Sequence, residues 1–230
     1  HPPADSPYPL PFQLTNGQKQ ALGEIIADLK PGSDRPPMNR LLQGDVGSGK
    51  TLVAFLAMID SAIELYPGSQ CAFMAPTEIL ARQHLQNFNR FFPQFARHAV
   101  IITGSMKNAE RRALNEAVAT GQALFIFGTH ALFQEQTQFN RLNFCIIDEQ
   151  QRFGVNHRRQ LFRKGENPHQ LLLSATPIPR TLSLTIFGDM DTSVINELPP
   201  GRQPVATKIA ADFREVLPLV KNTLAAGNQI

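Results

Sequence analysis

Glycines, a lysine and a threonine recur at a fixed spacing in Gly44-Asp45-Val46-Gly47-Ser48-Gly49-Lys50-Thr51, which satisfies G-x-x-x-x-G-K-[ST]. The glycines permit a tight bend in which successive backbone N–H groups converge on one point. The apolar run after Thr51 is of helical type, so that point lies at a helix N-terminus, where the dipole favours an anion. Lys50 stands where an ammonium meets β- and γ-phosphate oxygens, and Thr51 offers a hydroxyl to magnesium. The eight residues together predict a nucleoside triphosphate held with Mg2+.

A second signal lies downstream, where the apolar run Phe144-Cys145-Ile146-Ile147 ends in Asp148 and Glu149. A strand that stays apolar to its end delivers the next side chains to the carboxyl edge of a sheet, beside the loop that opens the first helix. Asp148 is expected to hold the magnesium through water, and Glu149 to polarise the attacking water of a hydrolysis. Such a pair is by itself equally a solvated strand end, and the phosphate loop is what gives it meaning. Upstream, Phe12 and Gln18 precede the first helix. A ring can stack on a base, and an amide can both donate to and accept from an adenine edge, which favours ATP over GTP. A nucleotide kinase or a GTPase would share the loop and the carboxylates, so the class rests on what surrounds them.

The elements that must position these residues alternate along the chain. Strands are predicted at 40–43, 71–75, 100–103, 123–128, 144–148 and 171–174, and helices at 18–29, 50–65, 78–91, 109–119 and 157–162. That order implies βαβ crossovers and an α/β fold whose mainly parallel sheet is covered on both faces. Residues 1–11 are rich in proline and read as a linker. The segment 197–204 carries three prolines and a glycine, which places a domain boundary there, followed by a strand at 205–209 and a helix at 213–226.

The 230 residues are 42% hydrophobic, enough for a buried core, and carry a net charge of +3, compatible with a polyanionic partner without demanding one. Cys71 and Cys145 sit inside apolar runs and are expected as reduced core residues. No signal-like start and no membrane-length apolar run is present, so a soluble cytoplasmic protein with no membrane partner is expected.

Beyond the phosphate loop and the carboxylates, the chain carries Ala75-Pro76-Thr77-Glu78-Ile79-Leu80-Ala81-Arg82-Gln83-His84, Gly128-Thr129-His130-Ala131-Leu132-Phe133, Asp148-Glu149-Gln150-Gln151-Arg152-Phe153-Gly154-Val155 and Ser174-Ala175-Thr176-Pro177-Ile178-Pro179-Arg180-Thr181. With residues 12–18, this set resembles the first motor lobe of the superfamily-two helicases. Residues 42–51, 134–136 and 197–202 are most similar to the RecG-type branch, whose members remodel stalled forks and branched DNA. The resemblance implies a RecA-like P-loop three-layer sandwich over 12–200, with 201–230 a linker and the start of a second lobe. It also implies ATP and Mg2+ as cofactors, branched or forked DNA as partner, and a second motor lobe and a wedge domain in a longer protein.

The same resemblance assigns Pro76, Thr77, Arg82, Gly104, Thr129 and His130 to a surface that tracks the DNA backbone. Strand ends, hydroxyls and one arginine can meet phosphates there without reading sequence. Arg82 could equally lie on a solvated helix face and His130 be a loop residue. Ser174 and Thr176 resemble the hinge that couples ATP state to lobe movement. Gln151 stands where RecG-type chains carry histidine; glutamine still donates a hydrogen bond but cannot become a cation. Mfd-type translocases also carry a glutamine near this point and share Arg152-Phe153-Gly154-Val155, and are the nearest alternative. A small-molecule kinase and a nucleotide-gated scaffold without ATPase activity are the readings from other classes. Without a second lobe, these residues are expected to bind ATP weakly and to hydrolyse it slowly.

Overall fold

Large apolar side chains along the central strands point alternately to two separate cores. The computed structural model describes residues 8–32, 36–134, 136–148, 167–176, 190–197 and 209–227. In it the chain divides into two compact units, His1–Pro199 and Pro200–Ile230.

The first unit contains β1 (Asn39–Gly44), β2 (Gln70–Met74), β3 (Ala99–Ile102), β4 (Phe125–Gly128), β5 (Leu142–Asp148), β6 (His169–Ser174) and β7 (Asp191–Ile195). They form one sheet in the order β3-β4-β2-β5-β6-β1-β7. Every described pairing is parallel. Its helices are α1 (Asn16–Leu29), α2 (Lys50–Ile59), α3 (Glu78–Phe91) and α4 (Asn108–Ala119). In β2, Phe73 joins a core with residues of α1, α2 and α3, while Ala72 and Met74 join a second core with Val118 of α4. A strand period of two thus gives a sheet with helices on both faces, the three-layer α/β sandwich expected. The first core is dense in aromatic rings: Phe55 packs within 5.4–5.9 Å of Phe73, Phe88 and Phe127. Truncating such a buried ring to alanine costs about 3–5 kcal/mol.

The six strands read from the sequence form with small shifts of their ends, as do the helices that fall among the described residues. The expected helix over 50–65 is α2 followed by a π-helical turn, Asp60–Leu65. In that turn burial, helped by Glu64, pushes the Asp60 carboxyl up to about 6, and the Tyr8 ring lies beside both carboxylates. Cys71 and Cys145 are buried in the sheet as free thiols, and burial pushes Cys71 up to about 12. The expected helix at 157–162 and the strand residues 205–208 lie outside the described residues.

One element is absent from the sequence reading. β7 pairs with β1 at the edge of the sheet, in register Gly44↔Ile195. Only Ser193 and Ile195 of its five residues are buried. Arg40 of β1 anchors it: the guanidinium donates to Ser193 Oγ at 2.8 Å and to Asp28 Oδ2 at 2.7 and 2.9 Å, with Glu24 at 3.3 Å. Ser193 also bonds Glu24.

In the second unit, α5 (Phe213–Ala225) is capped by Asp212, whose side chain accepts from the Arg214 N–H. Phe213, Leu219 and Leu224 are exposed on it.

Candidate nucleotide and nucleic-acid site

The phosphate loop leaves β1 at Gly44 and enters α2 at Lys50. Gly49, the residue before α2, has φ +88°, and a Cβ there would collide with the Gln18 amide nitrogen. A Cβ on Gly44 would stand 2.6 Å from Ser48 Oγ and 2.9 Å from the Ile195 carbonyl oxygen. Both positions therefore demand glycine, one for its backbone conformation and the other for close approach. Within the loop the Ser48 N–H donates to the Asp45 carbonyl at 3.1 Å, and the Val46 N–H donates to Asp45 Oδ1 at 2.7 Å. Gly47 also has positive φ, at 81°.

Caps distinguish the helices that meet at this edge. Thr15 caps α1, and Thr77 caps α3 by accepting the Leu80 N–H at 3.3 Å. No side chain caps α2, nor α4. The first-turn N–H groups and positive dipole end of α2 face the space beside the glycine-rich loop, an arrangement that suits an anion. The Lys50 ammonium lies over the same space, donating to the carbonyls of Gly44 at 2.7 Å and Asp45 at 2.9 Å. Thr51 is half-buried on the first turn of α2.

Asp148 is the last residue of β5. Its neighbour across the sheet is Leu173 of β6, which in turn pairs with Leu42 of β1. Two strand spacings, about 10 Å, thus separate the Asp148 backbone from the strand that carries the loop. That gap suits a hydrated ion between carboxylate and phosphates. Among the described residues no group of three His, Cys, Asp or Glu side chains could hold a metal alone. A hydroxyl and a carboxylate, the donors of Thr51 and Asp148, suit magnesium, which keeps most of its octahedral positions for water and phosphate oxygens. Glu149 lies outside the described residues.

Gln18 was read as a base-recognition residue, and its position is more constrained than that. Its Oε1 accepts the Thr15 N–H at 3.0 Å, and its Nε2 donates to the Ser48 carbonyl at 2.8 Å. The residue is 4% exposed. One amide hydrogen and one lone pair remain for a ligand. The T-x-x-Q spacing of Thr15 and Gln18, a capping box, is the sequence signal for this arrangement. Phe12 is partly exposed with its edge against Phe91, at 5.8 Å between centroids.

The residues assigned to DNA contact lie at the other half of the carboxyl edge. Pro76 and Thr77 follow β2, Gly104 follows β3, and Thr129 and His130 follow β4, and these three strands are neighbours in the sheet. Gly104 and His130 are exposed, whereas Thr129 is buried. Arg82 is held by Glu78, to which it donates at 2.7 and 3.1 Å. Ser105 Oγ also donates to the Glu78 carboxylate, at 2.6 and 2.7 Å, and these bonds hold Glu78 below its usual range. Glu78 and Ser105 carried no role in the sequence reading.

Ser174 ends β6, and its Oγ engages Thr176 locally, donating to the Thr176 carbonyl at 3.1 Å and accepting the Thr176 N–H at 3.3 Å. Gln151 lies outside the described residues. Asp148, the last residue of the carboxylate strand, is met by His84 of α3, whose Nε2 is 2.8 Å from Asp148 Oδ2.

Among the described residues no helix is long and apolar enough to cross a membrane. Relatives of known name share this sequence closely. The ATP-dependent DNA helicase RecG of Haemophilus influenzae is 51% identical over 93% of this chain and 31% of its own length. That of Escherichia coli K12 is 51% identical over 89% of this chain and 29% of its own. A structure of RecG bound to a three-way DNA junction superposes with TM-score 0.77 at 42% identity, over 95% of this chain and 29% of that one. The chain spans about three-tenths of the length of these relatives. The DEAD/DEAH box helicase profile matches residues 15–185, most of the chain, and the fold and loop agree with it: the chain belongs to the DEAD/DEAH box helicase family.

Proposed function

We propose that the chain is the first ATP-binding lobe of a RecG-like DNA motor that remodels branched DNA and stalled forks, completed by a second motor lobe and a wedge domain in a longer protein. One observation carries the nucleotide half of this reading. The uncapped start of α2, the Lys50 ammonium and the Asp148 carboxylate all stand at the carboxyl edge of β1 and β5, where a triphosphate and one hydrated ion fit between them. The relatives, named as DNA helicases, support the DNA half.

In this reading the first N–H groups of α2 receive phosphate oxygens, and Lys50 exchanges its two loop carbonyls for the β- and γ-phosphates. Magnesium, which Thr51 and Asp148 would hold, would supply neutralisation of the developing phosphate charge. Glu149 directs a water onto the γ-phosphorus and takes its proton, as the bond from that phosphorus to the bridging oxygen breaks and ADP leaves. The half-edge of β2, β3 and β4, with Pro76, Thr77, Arg82, Gly104, Thr129 and His130, faces the DNA backbone. Ser174, Thr176 and Gln151 couple the two. A second lobe supplies the transition-state arginine, a contribution of roughly a thousandfold or more in turnover.

The test compares ATP hydrolysis by the full-length protein and by these 230 residues, each with forked DNA, with linear duplex and without DNA. Fork-stimulated turnover confined to the full-length protein and abolished by Glu149→Gln is the expected result. Robust DNA-stimulated turnover by the 230 residues alone, or indifference to Glu149→Gln, overturns it.

A further inference from the structure

We propose that His84 is a positioning residue for Asp148, holding one carboxylate oxygen so that the other faces the magnesium site; this rests on the reading of Asp148 as a magnesium ligand. His84 lies on the buried face of α3, between Ala81 and Phe88. Its ring is 4.7 Å from that of Phe73 and edge-on to Phe55 at 6.4 Å, and the residue is 8% exposed. In that pocket of phenylalanines an aliphatic side chain would pack without desolvating any polar atom. The imidazole adds one thing that leucine lacks, an N–H directed at Asp148.

The geometry is that of a supporting bond. Nε2 meets Asp148 Oδ2 at 2.8 Å, and the Asp148 side chain is itself only 16% exposed. An ionised carboxylate only accepts, so the shared hydrogen belongs to Nε2. Nδ1 is buried with no hydrogen-bond partner among the described residues. An unpaired buried polar atom is a cost, of the kind kept at sites rather than in plain cores. The bond occupies Oδ2, and Oδ1, which accepts no hydrogen bond among the described residues, is left at the strand end. Partners that orient a metal-binding carboxylate in this way typically change metal affinity or activity by roughly 10–100-fold when removed.

The fixed point is not part of the strand. His84 sits on the helix whose first turn carries Thr77 and Glu78 and whose second carries Arg82. In this reading the orientation of the metal carboxylate is set from α3.

The experiment measures binding of a fluorescent ATP analogue to the full-length protein, in excess Mg2+ and in EDTA, for the wild type and for His84→Leu, His84→Gln and Asp148→Asn. The ratio of the two affinities is the magnesium increment. His84→Leu is expected to lower the increment by roughly tenfold or more while leaving affinity in EDTA unchanged, and His84→Gln, which keeps an N–H near the same place, is expected to restore most of it. An unchanged increment in His84→Leu overturns the inference. Equal losses with and without magnesium in both His84 variants, or failure of both to fold, would assign the residue to packing and also overturn it. Asp148→Asn separates the two readings: if it keeps the increment, the metal role of Asp148 fails, whereas if it loses the increment and His84→Leu does not, only the role of His84 fails.

Discussion

The side-chain amide of Gln18 bridges the start of α1 and the phosphate loop, accepting the Thr15 N–H and donating to the Ser48 carbonyl at 2.8 Å. The residue that closes the capping box of α1 thus also braces the backbone of the glycine-rich loop. Gln18→Ala leaves a buried carbonyl without its donor, at a cost of about 1–3 kcal/mol. ATP and GTP affinities should fall together, because the brace serves the loop and not the base. Equilibrium binding of both nucleotides checks this, and an unchanged GTP affinity would contradict the brace.

Lys50 is engaged by its own loop, through the carbonyls of Gly44 and Asp45. Those bonds are local and partly exposed, so Lys50→Ala should leave the thermal midpoint within a few degrees of wild type. ATP turnover by the full-length protein should nevertheless drop by roughly a hundredfold or more, since a cation aimed at developing phosphate charge is lost. Calorimetry and a phosphate-release assay together separate the two effects.

In the proposed DNA interface, Glu78 competes with phosphate for Arg82. Its carboxylate takes two bonds from the guanidinium and one hydroxyl from Ser105, and is partly exposed. Glu78→Gln should release the arginine for a phosphate, tightening DNA binding independently of sequence and steepening the salt dependence by about one counterion. Arg82→Ala should do the opposite by the same amount. Binding isotherms across a range of salt concentrations read both slopes.

Asp60 makes the lobe sensitive to pH. Its carboxyl is raised from 3.8 to about 6 by burial and by the neighbouring Glu64. The folded state therefore holds the proton more tightly than the unfolded chain. Its stabilising contribution is complete below about pH 4 and is lost as pH rises through 6. Asp60→Asn should match wild type near pH 4 and exceed it at pH 7.5 by roughly 2 kcal/mol, after allowance for solvent screening of a partly buried group. Denaturant unfolding at the two pH values tests the sign.

The chemistry-bearing loop and most of the sheet were legible because they are local. A glycine-rich motif, an apolar strand and a capping threonine each announce themselves within ten residues. β7 did not, because an edge strand whose two apolar residues, Val194 and Ile195, are adjacent gives no alternation to read, and its place is set by Arg40 from another strand. His84 was hidden for the opposite reason. Flanked by Ala81 and Phe88 at helical spacing, it reads as core, and its partner Asp148 lies 64 residues away. For Gln18 the sequence shows an amide able to pair with an adenine edge, but not that burial and the capping box also engage it with the loop.

The parallel pairing of β7 with β1 has a mechanical side. Chain leaving Ile195 departs along the axis of a strand, and Glu197, just beyond, accepts the Gly17 N–H at the start of α1 at 2.9 Å. A pull carried lengthwise along β7 loads all its ladder bonds to β1 in shear, together with the Ser193 anchor, and does not peel them open one at a time. A mostly exposed edge strand is thereby the one oriented to bear tension, and the glycine at the mouth of the phosphate loop is the residue packed directly against it.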